Sequence, residues 1–130
     1  LYFGLMITEK GPKVMISRTN AGLVKRLFET EVPEIYDGIV EIKSVAREAG
    51  SRTKMAVVSK DSEIDAVGAC IGTKGTRVQV IVDELNGEKI DIVKYSEDPA
   101  EFIKASLNPA EVISLKVDVE NKEARVVVPL

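Results

Sequence analysis

Apolar and polar positions alternate along this chain with two different periods, and the switches between them divide it into elements. Leu5-Met-Ile-Thr8 and Lys13-Val-Met-Ile-Ser17 are short β-prone runs. Gly11-Pro12 between them is a turn signal, so the pair predicts a hairpin. From Asn20, a candidate N-cap, the period lengthens: Leu23, Val24, Leu27 and Phe28 fall on one helical face with Lys25 and Arg26 opposite. That predicts a helix through Glu31, ended by Pro33. Ile39, Val40, Ile42 and Val45, then Met55, Ala56, Val57 and Val58, mark two strands flanking an Ala49-Gly50-Ser51 loop. A polar loop from Lys60 to Asp65 follows, in which Asp61 or Ser62 would cap a short helix ending at Ile71.

Beyond Gly75 the helical period returns. Val78, Ile81, Val82 and Leu85 stand at i, i+3, i+4 and i+7, with Thr76 as candidate N-cap and Asn86-Gly87 as the close. The β-branched Val80 and Ile81 weaken intrinsic helix preference, so packing on a sheet must hold this helix. Lys89-Ile-Asp-Ile-Val93 alternates as a strand. Asp98-Pro99 opens another helix with Phe102, Ile103 and Leu107 as its apolar side, and Pro109 stops it. Ile113, Leu115, Val117 and Val119, then Ala124, Val126 and Val128, alternate around a turn at Glu120-Asn121-Lys122, a second hairpin. Two strands alone are only marginally stable in water, so the first hairpin reads as the end of something larger.

With 130 residues, 45% hydrophobic and 30% charged, the chain has material for a packed core in one domain or a small domain with pieces of its neighbours. The net charge of -3 argues against nucleic-acid binding taken alone, but it conceals an asymmetry. Lys10 to Arg26 holds five basic residues and no acidic one, and Lys43 to Lys60 holds five basic residues against Glu48; Asp83 to Glu101 holds seven acidic residues against Lys89 and Lys94. The basic stretches would form one surface and the acidic stretch another, or all would be solvated faces. The chain has one cysteine, Cys70, and no histidine. That excludes an internal disulfide, a Cys/His zinc site and a Ser-His or Cys-His nucleophile pair, and it fits a reducing cytoplasm. Cys70 follows Val67 and Ala69 and reads as a small core residue. No apolar run approaches the ~20 residues of a membrane span. Leu1-Tyr-Phe-Gly4 has the look of a protease-tag scar, and nothing is drawn from it.

The chemistry concentrates in Ile71-Gly72-Thr73-Lys74-Gly75 and the following Thr76-Arg77. Glycines at both ends permit positive φ and close approach of another backbone. Lys74 and Arg77 would neutralise phosphate beside the amides that open the second helix. A nucleotide-hydrolase loop needs Gly-x-x-x-x-Gly-Lys-Ser/Thr after a strand; this turn lacks that spacing and follows a helix. Asp83-Glu84, sequential on a helix, point in different directions and make no acid/base pair. The expectation is therefore a non-enzyme without cofactor or metal. Arg47, Arg52 and Lys54, near the hairpin tip, would either contact phosphate at the sheet edge or simply keep the tip soluble.

The order strand, strand, helix, Gly-x-x-Gly, helix, strand from Ile39 to Tyr95 resembles a type II KH domain. Val32-Pro-Glu-Ile-Tyr-Asp-Gly-Ile-Val-Glu-Ile-Lys-Ser-Val-Ala-Arg47, Gly50-Ser-Arg-Thr-Lys54, Val67-Gly-Ala-Cys-Ile-Gly-Thr-Lys-Gly-Thr-Arg-Val-Gln79 and Ile81-Val-Asp-Glu-Leu-Asn-Gly-Glu-Lys-Ile-Asp-Ile-Val93 resemble the first KH domain of the NusA family of bacterial transcription elongation, termination and antitermination factors. The resemblance implies an α+β fold: a three-stranded mixed sheet with helices on one face, and an incomplete second KH unit. It divides the chain into residues 1–19, the end of an S1/OB-type domain; 20–96, the type II KH domain; and 97–130, the start of a second KH domain. The apolar strand face of that second unit must pack on the first, be covered by another chain, or be poorly ordered. The resemblance also implies that the Gly-x-x-Gly turn clamps single-stranded RNA of the nascent transcript. Ile71 would be a wall of a groove between the turn, its two helices and Lys89–Val93, and RNA polymerase and other Nus factors would be protein partners. Val80 departs from the family, which more often has a polar residue there. The alternative is a protein-docking module that uses the fold only as scaffold.

Overall fold

The computed structural model describes residues 2–108 and 110–130, so the expected helix stop at Pro109 and the residue Leu1 lie outside the described residues. Strands β1 (Tyr2–Thr8) and β2 (Gly11–Ser17) pair antiparallel with Thr8 opposite Gly11. The reversal is therefore at Glu9-Lys10 and not at Gly11-Pro12. Gly11, at φ 110°, already belongs to the strand, and the Thr8 hydroxyl donates to its carbonyl at 2.7 Å. Pro12 is tolerated there because a two-stranded ribbon is all edge.

Helix α1 (Ala21–Glu31) begins as its sequence predicts, the Asn20 side chain accepting from the Gly22 amide at 2.7 Å. Its apolar stripe buries Leu23, Val24 and Phe28. Pro33 does more than end it: the chain turns extended at Val32 and Pro33 opens a one-turn helix, α2 (Pro33–Tyr36), which the hydrophobic pattern does not show. Proline's fixed φ suits a first helical position. Strands β3 (Val40–Glu48) and β4 (Arg52–Ser59) pair antiparallel, with a register slip between Ile42 and Ser44.

Helix α3 (Ala66–Ile71) starts after Asp65 and not after the expected caps Asp61 or Ser62. Asp61 instead accepts from the Glu63 amide at 2.9 Å, spending its side chain on a local turn. Helix α4 (Thr76–Glu84) follows, and Asn86 and Gly87, both at positive φ, lead into β5 (Lys89–Lys94). Strand β5 is parallel to β4, giving a mixed sheet in the order β3-β4-β5. A parallel neighbour needs a crossover connection, and α3, the glycine turn and α4 are that connection.

Thr53, Met55 and Val57 of β4 are fully buried, and the core they share is completed by Val40, Phe28, Cys70, Ile81 and Leu85. Helices α1, α3 and α4 thus cover one face of the sheet. Lys54, which alternation puts on the other face, donates to the carbonyls of Ser106 and Asn108 at the end of α5 (Pro99–Ser106). Asp98 caps α5 through the Ala100 amide at 3.1 Å, and Phe102 meets Tyr95 edge-on with ring centroids 5.2 Å apart. Strands β6 (Ser114–Asp118) and β7 (Glu123–Val127) form the final hairpin, with Ile113, Val119, Val127 and Val128 exposed. Phe3, Leu5, Ile7, Val14 and Ile16 of the first hairpin are exposed as well. No helix among the described residues is long and apolar enough to cross a membrane.

Candidate nucleic-acid interface

Helix α3 ends when the Gly72 amide donates to the Gly68 carbonyl at 2.9 Å, and the chain then leaves ordinary helical space. Gly72 has φ 80° and ψ 172°, Lys74 φ 57° and ψ 26°, and Gly75 φ 75° and ψ 16°. The first of these conformations is open essentially to glycine alone. Space is also short at Gly72, where a Cβ would lie 2.7 Å from Arg77 Cγ and 3.0 Å from the Arg77 backbone nitrogen. At Gly75 a Cβ would meet nothing within 4 Å, so only its φ demands glycine. Gly72→Ala is accordingly expected to cost about 1–3 kcal/mol from the backbone alone, with the crowding added, and to lower the melting temperature more than Gly75→Ala does.

Gly75 also takes the N-cap position of α4, so the expected cap, Thr76, is the first helical residue and makes no side-chain capping bond. Lys74 is held left-handed although its Cβ makes that cost roughly 1–2 kcal/mol. Thr73 and Lys74 are exposed, and Ile71, at 36% exposure, stands at the edge of the turn. Among the described residues Lys74 forms no ion pair. The turn therefore presents backbone, a hydroxyl and one uncommitted cation to solvent.

The other expected cations are committed elsewhere. Arg77 Nη1 donates to the Glu34 carboxylate at 2.9 Å and to the Ala69 carbonyl at 2.7 Å, tying the start of α4 to α2 and to the last turn of α3. Arg47 donates through Nε and Nη2 to Glu88 and through Nη1 to the Asn20 carbonyl at 2.9 Å, with its side chain nearly buried. Arg52 pairs with Asp91 at 2.6 Å, which raises the guanidinium pKa through that hydrogen bond and charge. Lys54 is taken by the end of α5. These three side chains do not converge on a free phosphate site.

The basic and acidic stretches also meet at several points. Parallel pairing of β5 with β4 puts Asp91 opposite Lys54 and within reach of Arg52, so this part of the acidic stretch runs against a basic one. Arg18 reaches Glu84, its Nη1 3.7 Å from the carboxylate and its Nη2 donating to the carbonyl at 3.1 Å. Three ion pairs, Arg18 with Glu84, Arg47 with Glu88 and Arg52 with Asp91, thus join the basic stretches to the acidic one.

Sequence reasoning missed Glu88, which looks like an ordinary solvated acid after the Asn86-Gly87 turn. It is 1% exposed and accepts from Arg47, from the Gly50 amide at 2.7 Å and from the Thr53 hydroxyl at 2.7 Å. Desolvation pushes its carboxyl up, but those hydrogen bonds and the Arg47 charge outweigh it and hold the group below its ordinary value. Cys70 is buried as expected; burial first, then the Glu34 carboxylate, push its thiol up to about 12 against the opposing pull of Arg77. A thiol so placed is no nucleophile.

A cleft of about 700 Å³ opens beside Ile92, Val93 and Lys94 of β5, with Val67 of α3 on one side and Lys104 and Ala105 of α5 on the other. Strand β5 lines this cleft, whose opposite wall is α5, and Ile71, α4 and the glycine turn lie outside its lining.

Residues 18–95 match the NusA-like first KH domain. The chain is 61% identical over 122 residues to the transcription termination/antitermination protein NusA of Halalkalibacterium halodurans, covering 94% of this chain and 32% of that protein. To the protein of the same name from Bacillus subtilis it is 58% identical over 122 residues, covering 94% and 33%. To that of Thermus thermophilus it is 51% identical over 117 residues, covering 90% and 30%. The chain thus spans about a third of the length of these curated relatives. Among solved structures it is similar to the crystal structure of APE1850, with a TM-score of 0.56 and 20% identity over 83% of this chain and 70% of that one, a likeness of fold.

Proposed function

Since the chain belongs to the family of NusA-like first KH domains, we propose that it grips single-stranded RNA at the turn from Ile71 to Gly75, as part of a transcription termination and antitermination factor acting on nascent RNA. The observation that carries this reading is the open turn with its left-handed, exposed Lys74, which forms no ion pair among the described residues. Gly75, where a side chain would meet nothing within 4 Å, lets the sugar-phosphate backbone approach the protein backbone, Gly72 gives the turn its shape, Lys74 neutralises a phosphate, Thr73 offers a hydroxyl, and the amides that open α4 favour negative charge. Ile71 supplies an apolar wall for a base. Arg77 belongs to the support of the turn, while Arg47, Arg52 and Lys54 hold the sheet and α5 together.

The domain reading fits the same picture. Residues 1–19 end an S1/OB-type domain and residues 97–130 begin a second KH unit; the exposed apolar side chains of both hairpins suit neighbours that bury them. RNA polymerase and other Nus factors are the protein partners, the compartment is the cytoplasm, and the chain catalyses nothing. Those same exposed hairpins favour the alternative of a pure protein-docking module. Fluorescence polarisation with short labelled single-stranded RNA separates the two. The clamp predicts binding at low salt that weakens linearly in log salt, with a slope of about -0.7 per phosphate neutralised; no binding at low salt leaves the docking module.

A further inference from the structure

We infer that Glu34 is a positioning residue for the RNA-gripping turn: its carboxylate holds the Arg77 guanidinium against the end of α3, and Arg77 so held fixes Gly72 in the conformation that presents Lys74. The inference rests on the RNA-binding reading above and adds a residue to which nothing in the turn's own sequence points. Arg77 touches the turn in two ways. Its Nη1 donates to the carbonyl of Ala69, one of the last carbonyls of α3, which a helix end leaves without a helical partner. Its Cβ and Cγ occupy the space that a side chain at position 72 would need, 2.9 and 2.7 Å from an added Cβ.

Neither contact fixes a long, flexible side chain that is still 30% exposed. The Glu34 carboxylate, 2.9 Å from the same Nη1, supplies the missing anchor. It sits in the first turn of α2, immediately after Pro33, whose ring fixes the backbone there. The pair is electrically neutral, so an incoming phosphate meets the charge of Lys74 and not that of Arg77. If Arg77 were itself a phosphate ligand, Glu34 would be its competitor, and removing the carboxylate would strengthen binding and steepen its salt dependence. The two roles predict opposite signs.

The test measures affinity for a short labelled single-stranded RNA against salt for the full chain and for Lys74→Ala, Glu34→Gln and Arg77→Met, at a temperature where circular dichroism shows each folded. Lys74→Ala should flatten the slope by about 0.7, the contribution of one phosphate. Glu34→Gln and Arg77→Met should each weaken binding about tenfold at unchanged slope, as if the competent turn were populated about one-tenth of the time. Glu34→Gln is a nearly isosteric change at a partly exposed site and carries the test should Arg77→Met fail to fold. Binding by Glu34→Gln as tight as wild type or tighter, or an Arg77→Met slope flattened like that of Lys74→Ala, overturns the inference. A wild-type chain that ignores RNA at low salt overturns the RNA reading instead. Hydrogen exchange at the Gly72 and Gly75 amides then decides the positioning role: faster exchange in Glu34→Gln upholds it, and unchanged exchange removes it.

Discussion

The double variant Thr73→Asp/Lys74→Asp is expected to lose roughly 100-fold in RNA affinity while melting within a degree or so of the wild-type chain. The exchange replaces one positive charge and one neutral hydroxyl by two carboxylates, a change of three charge units at the tip of the turn. Each unit is worth roughly 1 kcal/mol against a phosphate about 4 Å away in water, and ~1.4 kcal/mol is tenfold. The fold should be indifferent for structural reasons. Both side chains are exposed, and aspartate tolerates the left-handed conformation of position 74 better than most residues do. Wild-type affinity in this variant, measured by fluorescence polarisation at low salt, would take the turn out of the RNA-binding surface.

Arg47→Met should be the most damaging single change to stability, at about 3–5 kcal/mol near neutral pH, because it leaves the Glu88 carboxylate buried without its counter-charge. Methionine keeps the apolar stem, so lost packing contributes little. The pH dependence gives the cause away. In the wild-type chain Glu88 titrates below its unfolded value of about 4.3, so its contribution is present above that pH and is lost as the pH falls through the folded value. In Arg47→Met both contributions of Arg47 are gone and only the Gly50 and Thr53 hydrogen bonds oppose desolvation, so the carboxyl shifts upward from its wild-type value and the stabilisation that Glu88 gives above that pH is lost. The gap between the two proteins is therefore widest near neutrality and narrows in acid. Adding Glu88→Gln should recover part of the loss, since both charges are then gone. Urea unfolding at several pH values checks this; a gap independent of pH would mean that Arg47 acts through packing and its bond to the Asn20 carbonyl and not through Glu88.

What the sequence makes legible follows from the range of the interactions involved. α1, α4 and the sheet strands each carry a stripe of side chains toward one core, so Leu23, Val24, Phe28, Ile81 and Leu85 announce their elements by spacing alone. The glycine turn is equally plain, because the backbone at Gly72 strongly favours glycine over any other residue. Helix α2 is not, since one turn is too short to show a period and Pro33 reads as a stop. Side-chain partnerships are the least legible. Arg47, Arg52 and Lys54 look like a basic patch until β5 lies down beside β4 and brings Glu88 and Asp91 with it, an effect of parallel pairing that no local window contains.

The crossover from β4 to β5 has a kinetic corollary. Arg47 and Glu88 are 41 positions apart, and the chain between them includes the whole of α3, the turn and α4. Bringing such distant residues together is slow compared with local closure, so the nucleation of this domain must wait for a long-range event. The glycine bend then matures together with the sheet, and a denaturant chevron read from a fluorophore near the bend should superimpose on one read from the core.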